Sequence, residues 1–160
     1  MLNISLICVG KLKEKYWRDA CAEYAKRLSA YCKFNIIEVD EYPAPDNASP
    51  AQIQNVIEQE GRKILAKLDK NTKIIAMCIE GKPLSSEKLA EKLGSLAVNG
   101  VSSLAFIIGG SWGLAKEIKD TAVLRLSMSE MTFPHQLARV MLCEQIYRAF
   151  QINTGGKYHK

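Results

Sequence analysis

The chain has 160 residues, the length of one ordinary globular domain, and 48% of them are hydrophobic and 24% charged. With 10 glycines and 5 prolines, this composition excludes a disordered tail, a collagen-like fibre and a coiled-coil rod. No apolar run reaches the roughly eighteen residues that a bilayer-spanning helix needs. The first residues also lack the basic start and long apolar stretch of a signal peptide. We therefore expect a single cytoplasmic domain over residues 1–160.

The cysteines and the charges narrow the class of protein further. The five cysteines are widely spaced and include no CxxC pair, so we expect free thiols and no metal site. The net charge of +5 is uneven along the chain. Residues 10–33 hold seven Lys or Arg against three acids, and the last residues are also basic. This distribution favours a polyanionic partner.

Apolar runs alternate with amphipathic stretches along the chain, which predicts five strands and five helices in alternation. A capping-box pattern at Ser49, Pro50 and Gln52 marks the start of the second helix, and Asn99-Gly100 marks the end of the third. The strands are expected at 2–9, 34–39, 72–79, 102–108 and 122–127, and the helices at 14–31, 50–68, 86–98, 114–120 and 135–152. This order predicts an α/β fold with a mostly parallel sheet and helices on both faces.

In such sheets ligands bind beyond the carboxyl ends of the strands, which makes the segments 80–85, 109–114 and 128–135 candidate site loops. The GGSWG sequence in the second segment fits either a ligand-cradling turn or a purely structural one. The third segment, MSEMTFPH, fits either a grip on a flat aromatic ligand such as adenine or a helix start with its apolar side chains in the core. We also expect Thr132 or His135 to cap the last helix.

The last helix has an apolar arc of roughly 200°, wider than a helix on one sheet needs, which favours burial against a second subunit. Arg139 lies within this arc and needs a carboxylate, a ligand or a phosphate as its partner. A structural ion pair across a subunit interface is the alternative. Beyond the helix, the terminal Tyr158, His159 and Lys160 fit either an RNA contact or a frayed end.

Several motifs extend over nearly the whole chain: VGKLKEKYW near the start, IIGGSWG in the middle, and SEMTFPHQLARVMLCEQIYRAFQI before a terminal YHK. With these motifs the chain resembles the SPOUT superfamily of methyltransferases, and within it the bacterial enzymes that methylate N3 of a pseudouridine in 23S rRNA. The resemblance implies S-adenosylmethionine as methyl donor, a trefoil knot within roughly residues 72–160, and a homodimer. It also implies a target near helix 69 of the large subunit, in assembled ribosomes.

Carried over residue by residue, the resemblance implies a cofactor pocket on the third strand, the GG turn and the last loop. The implied residues are Met77, Gly109, Met128, Ser129, Glu130, Met131, Thr132 and Phe133. Cys78 departs from the Asp or Glu that relatives often have after this methionine.

Methylation at N3 requires a group that takes the imide proton, and the candidates are His135, Glu144, Tyr158 and His159. We expect the catalytic contacts from the tail, where Tyr158 stacks on or hydrogen-bonds the base and His159 or Lys160 meets the base or its phosphate. The expected RNA contacts are Lys11, Lys13, Lys15, Arg18, Arg139 and Lys160. Two other interpretations stay open: a nucleotide- or flavin-dependent enzyme that uses GGSWG as a phosphate loop, and a non-catalytic ribosome-binding factor.

Overall fold

The computed structural model describes all 160 residues, and five strands alternate with five helices as predicted. Most element ends lie within a few residues of their predicted positions. The elements are β1 (Asn3–Val9), α1 (Lys15–Leu28), β2 (Lys33–Val39), α2 (Pro50–Leu65), β3 (Lys73–Pro83), α3 (Ser86–Val98), β4 (Ser103–Ile108), α4 (Lys116–Thr121), β5 (Leu124–Ser127) and α5 (His135–Asn153).

The five strands form one sheet in the order β2-β1-β4-β3-β5, and every neighbouring pair is parallel. Side chains of β1 alternate between two cores: Leu6 and Cys8 pack with α1, α3 and α5, whereas Ile7 and Val9 pack with α2 and α4. Because both faces of the sheet are covered, its central strands are continuous apolar runs. The α/β class and the two-sided layering are therefore confirmed.

Two local signals in the sequence are confirmed at helix ends. Ser49 Oγ accepts from the Gln52 backbone N–H at 3.2 Å, and Gln52 Oε1 accepts from the Ser49 N–H at 2.8 Å, which completes the capping box of α2. At the carboxyl end of α3, Gly100 follows the helix with φ +85°, a conformation that glycine adopts without steric cost.

β3 differs from the prediction because it continues to Pro83. Its register against β5 is broken between Met77 and Lys82, so residues 78–81 form a wide bulge before the pairing resumes at Lys82 and Leu126. The segment predicted as a loop from residue 80 onward is therefore partly strand. Glycine and proline in this segment are typical of a loop, and only the pairing with β5 makes it a strand.

α5 lies on the sheet between α1 and α3, and most of its length is buried or half-buried within the chain. The fully buried residues of α5 are Arg139, Leu142, Cys143, Ile146, Ala149 and Gln151. Much of the wide apolar arc is thus covered within the chain by the sheet, α1 and α3, whereas Ala138, Val140, Tyr147 and Phe150 stay half-buried. The arc does not by itself require a second subunit, and the subunit interface stays a prediction.

The start of α5 also differs from the prediction. Pro134 occupies the N-cap position and no side chain caps the helix, so neither Thr132 nor His135 has the predicted capping role. The first helical bond is instead the backbone bond from Ala138 N–H to the Pro134 carbonyl at 2.9 Å. The His135 side chain is left without a structural partner.

Three further features bear on the class of protein. No helix combines the length and the apolar character needed to cross a membrane. The five cysteines are free. Nowhere do three His, Cys, Asp or Glu side chains come together as a metal-binding group.

Candidate functional site

An apolar cavity of about 140 Å³ opens at the carboxyl ends of β3, β4 and β5. This is the edge at which ligands bind in parallel α/β sheets. Its lining is formed by Met77, Cys78, Ile79, Ile108, Ser127, Met128, Ser129, Met131, Thr132, Phe133, His135 and Ala138. Hydrophobic side chains with a few hydroxyls are the usual lining of a small-molecule site.

The bulge of β3 forms one wall of this cavity. Ile79 on the bulge is 69% exposed and Met131 on the facing loop is 74% exposed, although both are apolar. Large apolar side chains left in solvent beside a cavity indicate a ligand-binding surface. Between them lies Cys78, and burial raises the pKa of its thiol, so Cys78 lines the cavity as a neutral group.

The loop of residues 128–133 is held by its own hydroxyl groups. Ser127 Oγ donates to the Ser129 carbonyl at 3.1 Å, and Ser129 Oγ accepts from the Met131 backbone N–H at 3.0 Å. These bonds within the chain fix the loop around the cavity. The site is therefore largely preformed.

The GGSWG segment forms a tight turn next to the cavity. The Gly113 N–H donates to the Gly110 carbonyl at 3.1 Å, and Gly113 has φ +93°. A Cβ atom on Gly109 would lie 2.8 Å from the Gly113 carbonyl oxygen, so only glycine fits there without a shift of the turn. The turn leaves Trp112 half-exposed at its tip.

Most of the implied cofactor residues come together in the structure. Met77, Met128, Ser129, Met131, Thr132 and Phe133 all line the apolar cavity. Gly109 does not, since the preceding residue Ile108 reaches the cavity instead, and Glu130 is exposed outside it. Four further lining residues were not predicted: Ile79, Ile108, Ser127 and Ala138. A bulge marked by Gly81 is the one signal that could have indicated Ile79.

A second, polar cavity of about 210 Å³ adjoins the first, and His135 lines both. It lies between the end of β1, the GGSWG turn and the first turns of α5. Its other lining residues are Val9, Gly10, Lys11, Glu41, Ser111, Gln136 and Arg139. His135 thus stands between the two cavities, one with an apolar lining and the other with a charged lining.

Arg139 is buried behind the polar cavity, with only 5% of its side chain exposed. Its Nη1 donates to Glu38 Oε2 at 2.6 Å and its Nη2 donates to the Gly10 carbonyl at 3.2 Å. Glu38 Oε2 also accepts from the Leu12 backbone N–H at 3.1 Å. The expected ion pair therefore exists, but within one chain rather than across an interface, and it anchors the basic segment that follows β1.

The other basic residues of this segment differ in their contacts. Arg18 donates to the carbonyls of Leu12 and Lys13 at 3.0 and 2.6 Å, so it supports the segment's backbone. Lys13 is exposed and makes no side-chain hydrogen bond. The one ion pair of Lys11, with Asp40, is long at 4.0 Å and exposed to solvent. Exposed ammonium groups of this kind are available to a polyanion.

The terminal segment is docked onto α5 and is not a frayed end, one of the two possibilities that the sequence left open. Tyr158 Oη donates to Glu144 Oε1 at 3.1 Å, and its ring lies 4.9 Å from the Tyr147 ring and 4.8 Å from the Arg148 guanidinium. Burial is the main cause that raises the pKa of Tyr158 to about 12, and bonds to Tyr24 and Glu144 add to it. The sequence could not show this because the contacts depend on how the chain turns back after Gly155-Gly156.

His159 completes the docked tail, and its partners determine its tautomer. Nδ1 lies 3.1 Å from Arg148 Nη1, and Nε2 lies 2.8 Å from Glu87 Oε1. A guanidinium only donates, so Nδ1 accepts and Nε2 carries the proton that is donated to Glu87. Both ring nitrogens of a neutral imidazole are thereby occupied.

The docked tail does not line the apolar cavity of its own chain. Glu144, which holds Tyr158, is six residues beyond Ala138, the last residue of α5 in the lining, about 9 Å along the helix axis. Neither of the expected catalytic residues, Tyr158 and His159, is therefore part of the cavity in one chain.

The fold and the strand-end cavity define an α/β protein with a small, largely apolar cavity at the carboxyl ends of its parallel strands. The family model described as "Predicted SPOUT methyltransferase" matches residues 2–159. The chain belongs to the SPOUT methyltransferase family.

Similar proteins support this assignment over the full length. The chain is 54% identical over 159 residues to "Ribosomal RNA large subunit methyltransferase H" of Clostridium novyi (strain NT), with 99% of this chain and 100% of that protein covered. The protein of the same name from Clostridioides difficile (strain 630) is also 54% identical, with the same coverage. A solved structure, described as a probable methylase family protein from Haemophilus influenzae Rd KW20, has a TM-score of 0.55 at 13% identity and covers 99% of this chain and 71% of that one, a likeness of fold alone.

Proposed function

We propose that this protein transfers a methyl group from S-adenosylmethionine to N3 of a pseudouridine in 23S rRNA. The name of its full-length relatives supports the substrate, and the preformed apolar cavity at the strand ends carries the proposal. We further propose that the segment from about residue 72 to the end forms a trefoil knot, as the family assignment implies. A ribosomal substrate places the enzyme in the cytoplasm.

The cavity fits S-adenosylmethionine by its chemistry. Met128, Met131 and Phe133 offer soft apolar surface for an adenine ring, and the loop's backbone and hydroxyl groups offer hydrogen bonds to its edge. No carboxylate lines the cavity. When bound, the cofactor supplies an electrophilic methyl carbon.

The chain's own residues then have two tasks. The loop of residues 128–133 and the β3 bulge hold the donor in one orientation and exclude water from it, which lowers the entropic part of the barrier. A neighbouring group must take the N3 proton, because an imide nitrogen becomes nucleophilic only as it loses that proton. The polar cavity across His135 is where the target base can approach the donor.

We infer that the working enzyme is a homodimer. Tyr158 and His159 are docked on α5 and α3 and do not line the cavity of their own chain, so a second copy is the simplest source of a tail for each cavity. The exposed Lys11, Lys13 and Lys15, together with Lys160 of the tail, would then contact RNA from both chains. The RNA-binding surface of one small chain is limited, so the preformed shape of an assembled ribosome near helix 69 would supply recognition.

A calorimetric titration tests the cofactor assignment directly. S-Adenosylhomocysteine is expected to bind, whereas NAD, ATP and FMN are expected not to bind. Binding of a nucleotide or flavin in place of S-adenosylhomocysteine would favour the enzyme class that uses GGSWG as a phosphate loop. Binding of none of the four would favour the non-catalytic ribosome-binding factor.

A further inference from the structure

The chain has only two histidines, and the structure gives them very different surroundings. His159 has both ring nitrogens occupied, by Arg148 and by Glu87. A neutral imidazole in this arrangement has no free lone pair, so the docked His159 cannot take a proton without losing its bond to Arg148.

His135 is in the opposite situation. It is the first residue of α5, it is exposed, and its side chain makes no hydrogen bond. It lines the apolar cavity and also the polar cavity, so its ring stands on the wall that the two share. Glu144, the one carboxylate among the candidate proton acceptors, is already bonded to Arg148 at 2.6 Å and to Tyr158 at 3.1 Å.

The polar cavity has the groups that a pyrimidine ring requires. Lys11 and Gln136 offer donors to ring carbonyl oxygens, and Ser111 offers a hydroxyl. The buried Arg139 adds a positive charge behind the cavity, held in place by Glu38. Because Glu38 pairs with Arg139 and Glu41 also lines the cavity, the exposed Lys11 ammonium is the cation that can approach a ring that becomes anionic when its imide proton leaves.

We propose that the polar cavity receives the pyrimidine ring of the target nucleotide and that His135 accepts its N3 proton. The proposal rests on the function proposed above. As the N3–H bond breaks, the proton moves to a His135 ring nitrogen, and the N3 electron pair forms a bond to the methyl carbon of the sulfonium donor. The carbon–sulfur bond breaks with its electron pair returning to sulfur, which leaves a neutral thioether and a protonated imidazole.

The charged groups around the imidazole all come from the polar cavity, where Lys11, Glu41 and Arg139 line the same space. On the apolar side the only other ionisable group in the lining is the Cys78 thiol.

The histidine signals in an NMR spectrum test the binding part of the proposal. Because there are only two histidines, the variant His135→Gln assigns both imidazole signals. Addition of uridine 5′-monophosphate to protein loaded with S-adenosylhomocysteine is expected to shift the His135 signal in a saturable way. A His135 signal that does not move overturns the proposal, whatever the signal of His159 does.

Single-turnover methylation of ribosomes that lack the modification tests the catalytic part. His135→Ala is expected to slow transfer by about 10²–10⁴-fold, the usual contribution of a general base, while the affinity for S-adenosylhomocysteine stays unchanged. Free imidazole in the buffer is expected to restore part of the rate, an effect that a merely structural residue does not show. Gln54→Ala, an exposed change on α2, serves as the control.

The outcomes separate this proposal from the function on which it rests. A wild-type protein that transfers no methyl group to these ribosomes contradicts the proposed function. A wild-type protein that transfers methyl groups, with a His135→Ala variant that is equally fast or is not rescued by imidazole, contradicts only the role of His135.

Discussion

At the scale of single residues, the least expected feature is the buried carboxyl of Glu60. Only 4% of this residue is exposed; Oε2 accepts from the Tyr42 backbone N–H at 3.0 Å, and Oε1 has no partner. The carboxyl is packed against Gly110, where a Cβ atom would lie 2.7 Å from Oε1. Glu60 therefore supports the GGSWG turn from below, and its charged form is poorly solvated there.

Burial raises the pKa of Glu60 in the folded protein, and this has a consequence for stability. The contribution of a raised carboxyl is fully present below the ordinary glutamate pKa and is lost as the pH rises through the folded-state pKa. The variant Glu60→Gln keeps an acceptor for Tyr42 but does not titrate. We expect the free energy of unfolding of the wild type to fall relative to this variant as the pH rises above the ordinary glutamate pKa, in urea titrations. Parallel curves for the two proteins would contradict the burial argument, and Glu58→Gln, exposed on the same helix, is the control.

Gly109 provides a second test at this scale. An added methyl group would meet the Gly113 carbonyl oxygen at 2.8 Å, so Gly109→Ala is expected to displace the turn beside the cavity. We expect a loss of stability of about 1–3 kcal/mol and weaker binding of S-adenosylhomocysteine, measured by thermal denaturation and calorimetry. Gly94→Ala on α3 is the matched control, because its added methyl group meets only Asn153 at 3.4 Å and alanine favours a helix. Equal effects of the two substitutions would rule out a special role for the turn.

At the scale of elements, the docked tail is the feature that most changes the account of the site. Tyr158 and His159 are held by Glu144, Arg148 and Glu87 on α5 and α3, where they stabilise the packing of those helices. The tail thus has a structural role in its own chain, in addition to the catalytic role proposed for it in a dimer.

Deletion of residues 157–160 tests the catalytic role of the tail. Turnover on ribosomes is expected to be lost. S-Adenosylhomocysteine is expected to bind still, because none of the deleted residues lines the apolar cavity. Lys157→Ala, an exposed change within the same segment, is expected to keep full activity. A truncated protein with normal turnover would show that the tail is structural only.

The strands and helices were predictable from sequence because their signals are local. The capping box at Ser49 and the glycine at position 100 each determine a helix end within a few residues. The contacts of the site are not local: Arg139 pairs with Glu38 at a separation of 101 residues, and His159 meets Glu87 at a separation of 72. Such partners follow from the order of strands in the sheet, which periodicity in the sequence does not contain.

At the scale of the whole molecule, the charge distribution predicts how the protein meets its substrate. The exposed Lys11 and Lys13 follow β1, next to the polar cavity, on a segment anchored by Arg139. The cofactor and the RNA would therefore meet at one edge of the sheet, with different residues responsible for each.

Charge reversal separates these two interactions. The double variant Lys11→Glu and Lys13→Glu is expected to weaken ribosome binding and to reduce its salt dependence by a slope of about 2, as two phosphate contacts would. Calorimetry should show unchanged binding of S-adenosylhomocysteine. The matched control reverses Lys67 and Lys70, exposed lysines that precede β3 at the opposite edge of the sheet. A loss of cofactor binding in the first variant would indicate misfolding instead.

The most direct test of the central claim is mass spectrometry of 23S rRNA from ribosomes that lack the modification, after incubation with this protein and S-adenosylmethionine carrying a deuterated methyl group. We expect one deuterated methyl group on N3 of a single pseudouridine, and none when the cofactor is omitted. If the protein still binds S-adenosylhomocysteine but leaves no label in 23S rRNA, the proposed methyl transfer is contradicted.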